Sequence, residues 1–271
     1  MSGRPFKQVV KRIAPSAVEW YHGLRGKSEF SGRYETWKEA MEYCTGFDAS
    51  SIPSKVREAL LKVKTGSAAG ERDSVLFDTP QYSWPVLAGI LWALSTAGER
   101  MYVLDFGGSL GSHYFQYRSF LDDVADLRWN VVEQPRFVDE GKRHFEDNRL
   151  RFYSSVQECI RNGHPHVALL SNVLQYLEAP HDFLDEFTRL GIRFIIIDRT
   201  AFIDEPRDRL TVQRVPASIY SASYPAWFFS RAGFLAHFSE LYELVAEYDD
   251  QVMVNVPSTY RGFLFKLRTR P

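Results

Sequence analysis

Val103-Leu-Asp-Phe-Gly-Gly-Ser-Leu-Gly-Ser112 is the stretch around which the rest of this 271-residue sequence can be organised. An apolar run ends on Asp105, turns through Gly107 and Gly108, and passes Gly111 into a helix-compatible segment. Glycines let a backbone approach a ligand closely, and a helix N-terminus presents unpaired N–H groups beside it. The next apolar run ends on Glu133, 22 residues after Gly111. That is close to the spacing at which an acidic residue meets ribose hydroxyls in nucleotide-binding βαβ units. A tight turn with a surface glutamate is the simpler alternative.

Outward from this motif, short apolar strands alternate with amphipathic helices. The pattern predicts strands at Tyr102–Asp105, Trp129–Glu133, Arg151–Tyr153, Val167–Ser171 and Phe194–Asp198. Helices are predicted at His113–Leu121, Arg136–Asp147, Ser155–Arg161, Asp182–Leu190 and Ser230–Phe238. Such alternation implies a parallel sheet covered on both faces. Tyr242–Tyr248 and Gly262–Leu267 read as strands joined without a helix, so the last strand is expected to enter the sheet antiparallel. The expectation is a Rossmann-like α/β sheet of seven strands.

Upstream, residues 1–80 read as an N-terminal helical extension and 81–271 as the main domain. Thr36 and Glu39 have capping-box spacing, a helix follows Pro53, and residues 65–70 form a loop of small residues. Pro85 and Gly98 bound a further helix with Val86, Leu87, Ile90, Leu91 and Leu94 on its buried face. The connection from Thr200 to Tyr224 is long for a strand-to-helix link and reads as a lid or binding loop, with a packed surface excursion as the alternative. It carries Arg207, Arg209, Gln213, Arg214, Tyr220 and Tyr224.

Thirty-three Lys+Arg against 34 Asp+Glu leave a net charge of −1, so no nucleic acid partner is expected. Cys44 and Cys159 have neither metal nor redox spacing, as expected of a reduced cytoplasmic protein. The apolar run from Trp84 to Leu94 is too short to span a bilayer. Residues 1–23 are basic, with Arg4, Lys7, Lys11 and Arg12 among Phe6, Val9, Val10 and Ile13. They suit peripheral association with an anionic membrane, or packing on the domain itself or on a neighbouring subunit of a homo-oligomer.

Two cofactor classes share the strand–glycine–helix geometry. A carboxylate two residues before the first glycine, as Asp105 is, suits the cationic amino acid portion of S-adenosylmethionine, whereas nicotinamide sites need no acid there. The terminal hairpin points the same way.

The run Asp105 to Tyr117, Trp129-Asn-Val-Val-Glu-Gln-Pro135, Ser171-Asn-Val-Leu-Gln-Tyr-Leu-Glu178 and Ile197-Asp-Arg-Thr200 together resemble a bacterial family of class I methyltransferases associated with cell-surface polysaccharide biosynthesis. The likeness continues in Gln213-Arg-Val-Pro216, Tyr220 to Phe228, Thr36-Trp-Lys-Glu-Ala40 and Gly46-Phe-Asp48. It implies the seven-stranded fold, S-adenosylmethionine as cofactor and a sugar hydroxyl as acceptor. Carried over by position, Asp105, Gly107, Gly108 and Gly111 would surround the methionine portion, Glu133 the ribose, and Gln134 the adenosine. Ser154 or Ser155 stands where an aspartate commonly meets the adenine amine. Ser171 and Asn172 would face the cofactor or cap a helix.

Methyl transfer to oxygen needs alignment and removal of the acceptor's proton. Asp198, at the end of the fifth strand, is a candidate base or positioning group. Arg199 is a candidate for an anionic acceptor, and His113 is the other candidate base. A structural ion pair is the alternative for Asp198 and Arg199. Tyr117, Arg118, Gln175, Thr200, Gln213, Tyr220 and Tyr224 are candidate acceptor contacts. Ser171 and Asn172 occupy a position that metal-dependent relatives fill with acids, and His164, His166 and His181 lack ligand spacing, so no metal is expected. A catalytically silent scaffolding subunit and a nicotinamide-dependent sugar oxidoreductase are the rival readings.

Overall fold

The computed structural model describes residues 29–44, 51–72, 74–215 and 222–269. The basic N-terminus, Gly46 to Asp48 and Tyr220 lie outside the described residues.

The strands in chain order are β1 (Glu29–Tyr34), β2 (Gly70–Arg72), β3 (Val75–Phe77), β4 (Arg100–Phe106), β5 (Asp126–Val132), β6 (Leu150–Tyr153), β7 (Val167–Ser171), β8 (Phe194–Ile203), β9 (Arg209–Val215), β10 (Ala222–Ser230), β11 (Tyr242–Asp250) and β12 (Thr259–Leu267). The helices are α1 (Trp37–Glu42), α2 (Ser51–Lys64), α3 (Trp84–Ala97), α4 (Ser112–Leu121), α5 (Pro135–His144), α6 (Val156–Arg161), α7 (Pro180–Thr188) and α8 (Arg231–Ser239).

The central sheet runs β6-β5-β4-β7-β8-β12-β11. Five strands are parallel, β12 pairs antiparallel with β8, and β11 closes the edge against β12. Numbered within the seven, the order is 3-2-1-4-5-7-6. The order reverses beside β4, which opens a crevice at the carboxyl ends of the strands.

Side-chain alternation covers both faces. Val103, Val131, Val167, Leu169, Phe194 and Ile196 pack with α2, α3, α4 and α5. Leu104, Val132, Ala168, Leu170, Ile195 and Ile197 pack on the other face with α6, α7 and α8. All ten residues of β8 are buried.

The structure corrects the reading of residues 200–224 as a loop. β9 and β10 form an antiparallel hairpin, and β10 joins the carboxyl end of β8 through Phe229 and Ser230. Leu210 and Val212 turn inward against Ala40, so the hairpin is held by core packing. The 1–80 segment is also not simply helical. Its strand β1 covers the outer edge of β9 (Phe30 opposite Gln213), and β2 pairs with β3. The Thr36 cap is present: its side chain accepts from the N–H of Glu39, whose carboxylate accepts from Glu35 N–H at 3.0 Å.

Beyond Ile197 the phase of β8 slips. Thr200 pairs with Arg261 and Ile197 with Phe263, so Asp198 and Arg199 together oppose the single residue Gly262. This is a β-bulge, with Arg199 at φ 51°. Its effect appears in the packing. Ile195 and Ile197 share a core with Phe202, while Ala201 and Ile203 belong to a separate core with Phe30, Phe228 and Tyr260.

Candidate active site

Non-glycine residues in the left-handed region stand just after β4 (Ser109, φ 56°), just after β7 (Asn172, φ 55°) and in the bulge of β8 (Arg199, φ 51°). Such backbone is costly and clusters where function constrains the chain. Gly107 (φ 72°) and Gly111 (φ 93°) supply the remaining turns. A Cβ on Gly108 would stand 2.5 Å from Asp105 Cγ, so the loop folds down onto that carboxylate.

Asp105 is fully buried. Its Oδ2 accepts Trp129 Nε1–H at 3.0 Å and lies 3.3 Å from His113 Nδ1. Its Oδ1 has no hydrogen-bond partner among the described residues. A buried carboxylate oxygen without a donor is expensive and calls for a ligand group. The carboxylate also directs His113: with Nδ1–H donated to Asp105, Nε2 keeps its lone pair. The His113 ring lies parallel to that of Tyr117, with centroids 6.3 Å apart.

Beside the glycine turn lies a cleft of about 550 Å³, in the size range of small-molecule sites. Gly107, Glu133, Gln134 and Ser154, four of the residues expected to hold the cofactor, line it. Its apolar wall comes from Val156, Val173, Leu177, from α7, which contributes Phe183 and Phe187, and from Leu190 just beyond it. Glu133 accepts Gln134 N–H at 2.6 Å. Burial pushes its carboxyl up to about 7, the negative charge of Asp105 adds to this, and the N–H groups of Gln134 and Ser109 pull the other way. Ser155 caps α6 by accepting from Glu158 N–H. Of the two serines, Ser154 is the exposed one.

A second cluster sits under the β8 bulge. Asp198, 3% exposed, accepts from Ser171 Oγ (2.7 Å), Arg199 Nε (3.2 Å), Tyr248 OH (3.1 Å) and Ser83 Oγ (3.5 Å). Arg199 Nη2 also donates to Ser171 Oγ at 3.0 Å. With both oxygens bonded, Asp198 is held as the centre of an internal ion-pair network. Ser171 points into that network, and Asn172 Oδ1 accepts from Gln175 Nε2 at 2.8 Å. Neither residue lines the cleft or caps the following 3₁₀ turn, Leu174–Tyr176.

The acceptor candidates separate. Tyr117 is fully buried, with its hydroxyl on Ser83 O at 3.4 Å, and Arg118 lies over the ring of Phe115. Neither reaches the cleft wall. Gln213 Oε1 accepts from Tyr176 OH at 2.9 Å, and Tyr176 lines the cleft and packs edge-on against Tyr224. Gln175 Oε1 and Thr200 Oγ1 are buried without a partner among the described residues.

Sequence reasoning missed Trp129, Tyr248 and Ser83. A tryptophan in the middle of a buried strand is the one legible signal, because its indole N–H must find an acceptor. Gly262 follows from Tyr248: a Cβ there would stand 2.1 Å from the tyrosine ring. Among the described residues, no group of three or more His, Cys, Asp or Glu is arranged to hold a metal, and no helix is long and apolar enough to cross a membrane.

No family model and no curated protein matches the chain. Among solved structures it is similar to the N-terminal domain of EvdMO1, crystallised with SAH and D-fucose, at 14% identity over 82% of this chain and 98% of that one, TM-score 0.49. It is also similar to CalS10, an amino pentose methyltransferase from Micromonospora echinaspora, at 11% identity over 79% and 97%, TM-score 0.47. A third is the mitomycin 7-O-methyltransferase MmcR, at 17% identity over 68% and 53%, TM-score 0.41. Likenesses this distant say nothing of this chain's reaction.

Proposed function

We propose that the protein is an S-adenosylmethionine-dependent methyltransferase acting on a sugar hydroxyl. The observation that carries this reading is the pair of carboxylates at adjacent strand ends, Asp105 with its unpartnered oxygen and Glu133 in the cleft. A dinucleotide would bring a pyrophosphate between two acids, whereas S-adenosylmethionine brings an ammonium group and a ribose diol, which are donors. Asp105 Oδ1 would take the ammonium, Glu133 the ribose hydroxyls, and Gln134, Ser154 and the apolar wall the adenosine. The turn through Gly107, Gly108 and Gly111 leaves backbone room for the methionine portion.

When bound, the cofactor supplies an electrophilic methyl on a sulfonium. The chain's own residues align the acceptor and take its proton. His113, beside the glycine turn and outside the cleft lining, is the candidate base: a bond donated from Nδ1 to Asp105 would fix the tautomer with the lone pair on Nε2. Asp198 and Arg199 hold the strand ends in place instead of meeting the acceptor. The Tyr176–Gln213–Tyr224 rim offers aromatic and polar contacts suited to a hydroxyl-rich ring, with Gln175 and Thr200 behind it. A bacterial surface polysaccharide or its precursor, handled in the cytoplasm, is the acceptor class that the sequence resemblance suggests.

Isothermal titration calorimetry with S-adenosylhomocysteine, with NADH in parallel and Glu133→Ala as control, tests the cofactor. Binding of the homocysteine analogue alone, weakened in the variant, is the expected result. Preference for NADH would overturn the reading. Transfer of labelled methyl to a polysaccharide fraction, abolished in His113→Ala while analogue binding persists, tests the reaction and separates an enzyme from a silent scaffold.

A further inference from the structure

On the face of α7 opposite the cleft, four side chains form a continuous hydrogen-bonded chain. Asp208 Oδ2 lies 2.5 Å from His181 Nε2, His181 Nδ1 lies 2.7 Å from His237 Nε2, and His237 Nδ1 lies 2.6 Å from Asp185 Oδ1. His181 and Asp185 stand one turn apart on α7, His237 is on α8, and Asp208 sits in the turn before β9. Asp208 is itself fixed by Ser230 N–H at 2.7 Å, and the His181 ring packs edge-on against Phe229. The chain therefore ties α7 to α8 and to the β9–β10 hairpin. The other side of α7, at Phe183, Glu186 and Phe187, is a wall of the cleft.

Proton counting defines the states of this chain. Three hydrogen bonds need three hydrogens. Two neutral imidazoles supply only two, so one contact is left between facing lone pairs. Two imidazolium rings supply four, and two N–H groups then face each other. One net proton shared by the two rings satisfies every contact. We propose that Asp208, His181, His237 and Asp185 form a one-proton clamp that sets how firmly α7 walls the cleft.

The hydrogen bond that His181 donates to Asp208 raises its protonation range above that of an ordinary histidine, burial opposes this, and Asp208, Asp185 and Asp182 add to the rise by their charge. Asp185 is held below the ordinary carboxylate range by His237, with Arg189 also nearby. A raised histidine holds its clamp below that value and releases it as pH rises through it, while a second proton opens the clamp at acid pH. The clamp's proton belongs to the pair of rings and not to either one. The clamp acts on α7 whatever the cleft holds.

Hydrogen exchange of the full chain tests it, with amide protection in residues 183–188 followed from pH 6 to 9 after correction for intrinsic exchange. Loss of one charge-assisted hydrogen bond predicts about a tenfold fall in α7 protection across the step, with α4 unchanged. Asp208→Asn and His237→Gln should abolish the step. Long-range ¹⁵N spectra of the imidazoles in the unaltered protein provide a second reading, in which both rings should change state together. Protection in α7 that does not vary with pH, a step that survives in both variants, or rings that titrate independently would each overturn the clamp.

Discussion

Replacing Glu133 with glutamine is expected to stabilise the protein at alkaline pH while weakening the function proposed for the cleft. The Glu133 carboxyl moves from an ordinary 4.5 up to about 7, with burial as the largest cause. Between those values the folded chain holds a proton that the unfolded chain has released, so stability falls as pH rises through the interval. Above about pH 7 the carboxylate is ionised in both states, and the folded state carries the whole penalty. A displacement of that size corresponds to roughly 3 kcal/mol, and screening at a half-buried side chain trims it to about 2 kcal/mol. Glutamine keeps the shape and one acceptor oxygen, and the stronger bonds that the ionised carboxylate accepts from Gln134 and Ser109 N–H are already included in the net displacement. The quantity to measure is the change in unfolding free energy on Glu133→Gln, from urea titrations at pH 5 and pH 8. It should be more favourable at pH 8 by about 2 kcal/mol, a difference from which the His181–His237 clamp cancels. Equal changes at the two pH values would show that Glu133 sits in ordinary solvent, and would remove the electrostatic basis for its assigned role. Homocysteine-analogue affinity should run the opposite way in the unaltered protein, rising as Glu133 ionises, and should lose that dependence in the variant.

Other substitutions probe the remaining elements. Asp105→Asn should lower analogue affinity at least tenfold in calorimetry without unfolding the protein, and unchanged affinity would refute the ammonium contact. Trp129→Phe removes the donor to Asp105 Oδ2 and should cost about 1.5–3 kcal/mol in urea unfolding, the range for a hydrogen bond to a charged group. Gly262→Ala drives a Cβ into the Tyr248 ring and should destabilise by about 1–3 kcal/mol as an overpacked site. In the background of Tyr248→Ala most of that penalty should vanish, and additivity of the two changes would refute the packing argument.

The central sheet was legible because each parallel strand is a short apolar run and each crossover helix carries a distinct stripe. The predicted span Val167–Ser171 matches β7 residue for residue. The terminal hairpin was legible for the converse reason, the lack of a helix between Tyr248 and Gly262. β10 was hidden by Pro225, which normally argues against a strand. It is tolerated here because β10 meets β8 only through Phe229 and Ser230, leaving Pro225 without a partner on that side. β1 was hidden because its partner lies about 180 residues away, beyond any local pattern. At the site, Asp105, Gly107 and Glu133 could be found from spacing alone. The bulge could not, because nothing in Ile197-Asp-Arg-Thr200 shows that two residues oppose one, and that geometry turns Asp198 and Arg199 onto each other.

The pairing of β1 with β9 also shapes how the chain is made. A ribosome releases Glu29–Tyr34 early, but the complementary edge is not finished until Val215 has been added. At ordinary rates of synthesis, roughly 5–20 residues per second, that strand waits on the order of ten to forty seconds for its partner. The first of the described strands therefore waits for one made much later, and the edge of β9 is sealed by a segment synthesised well before it.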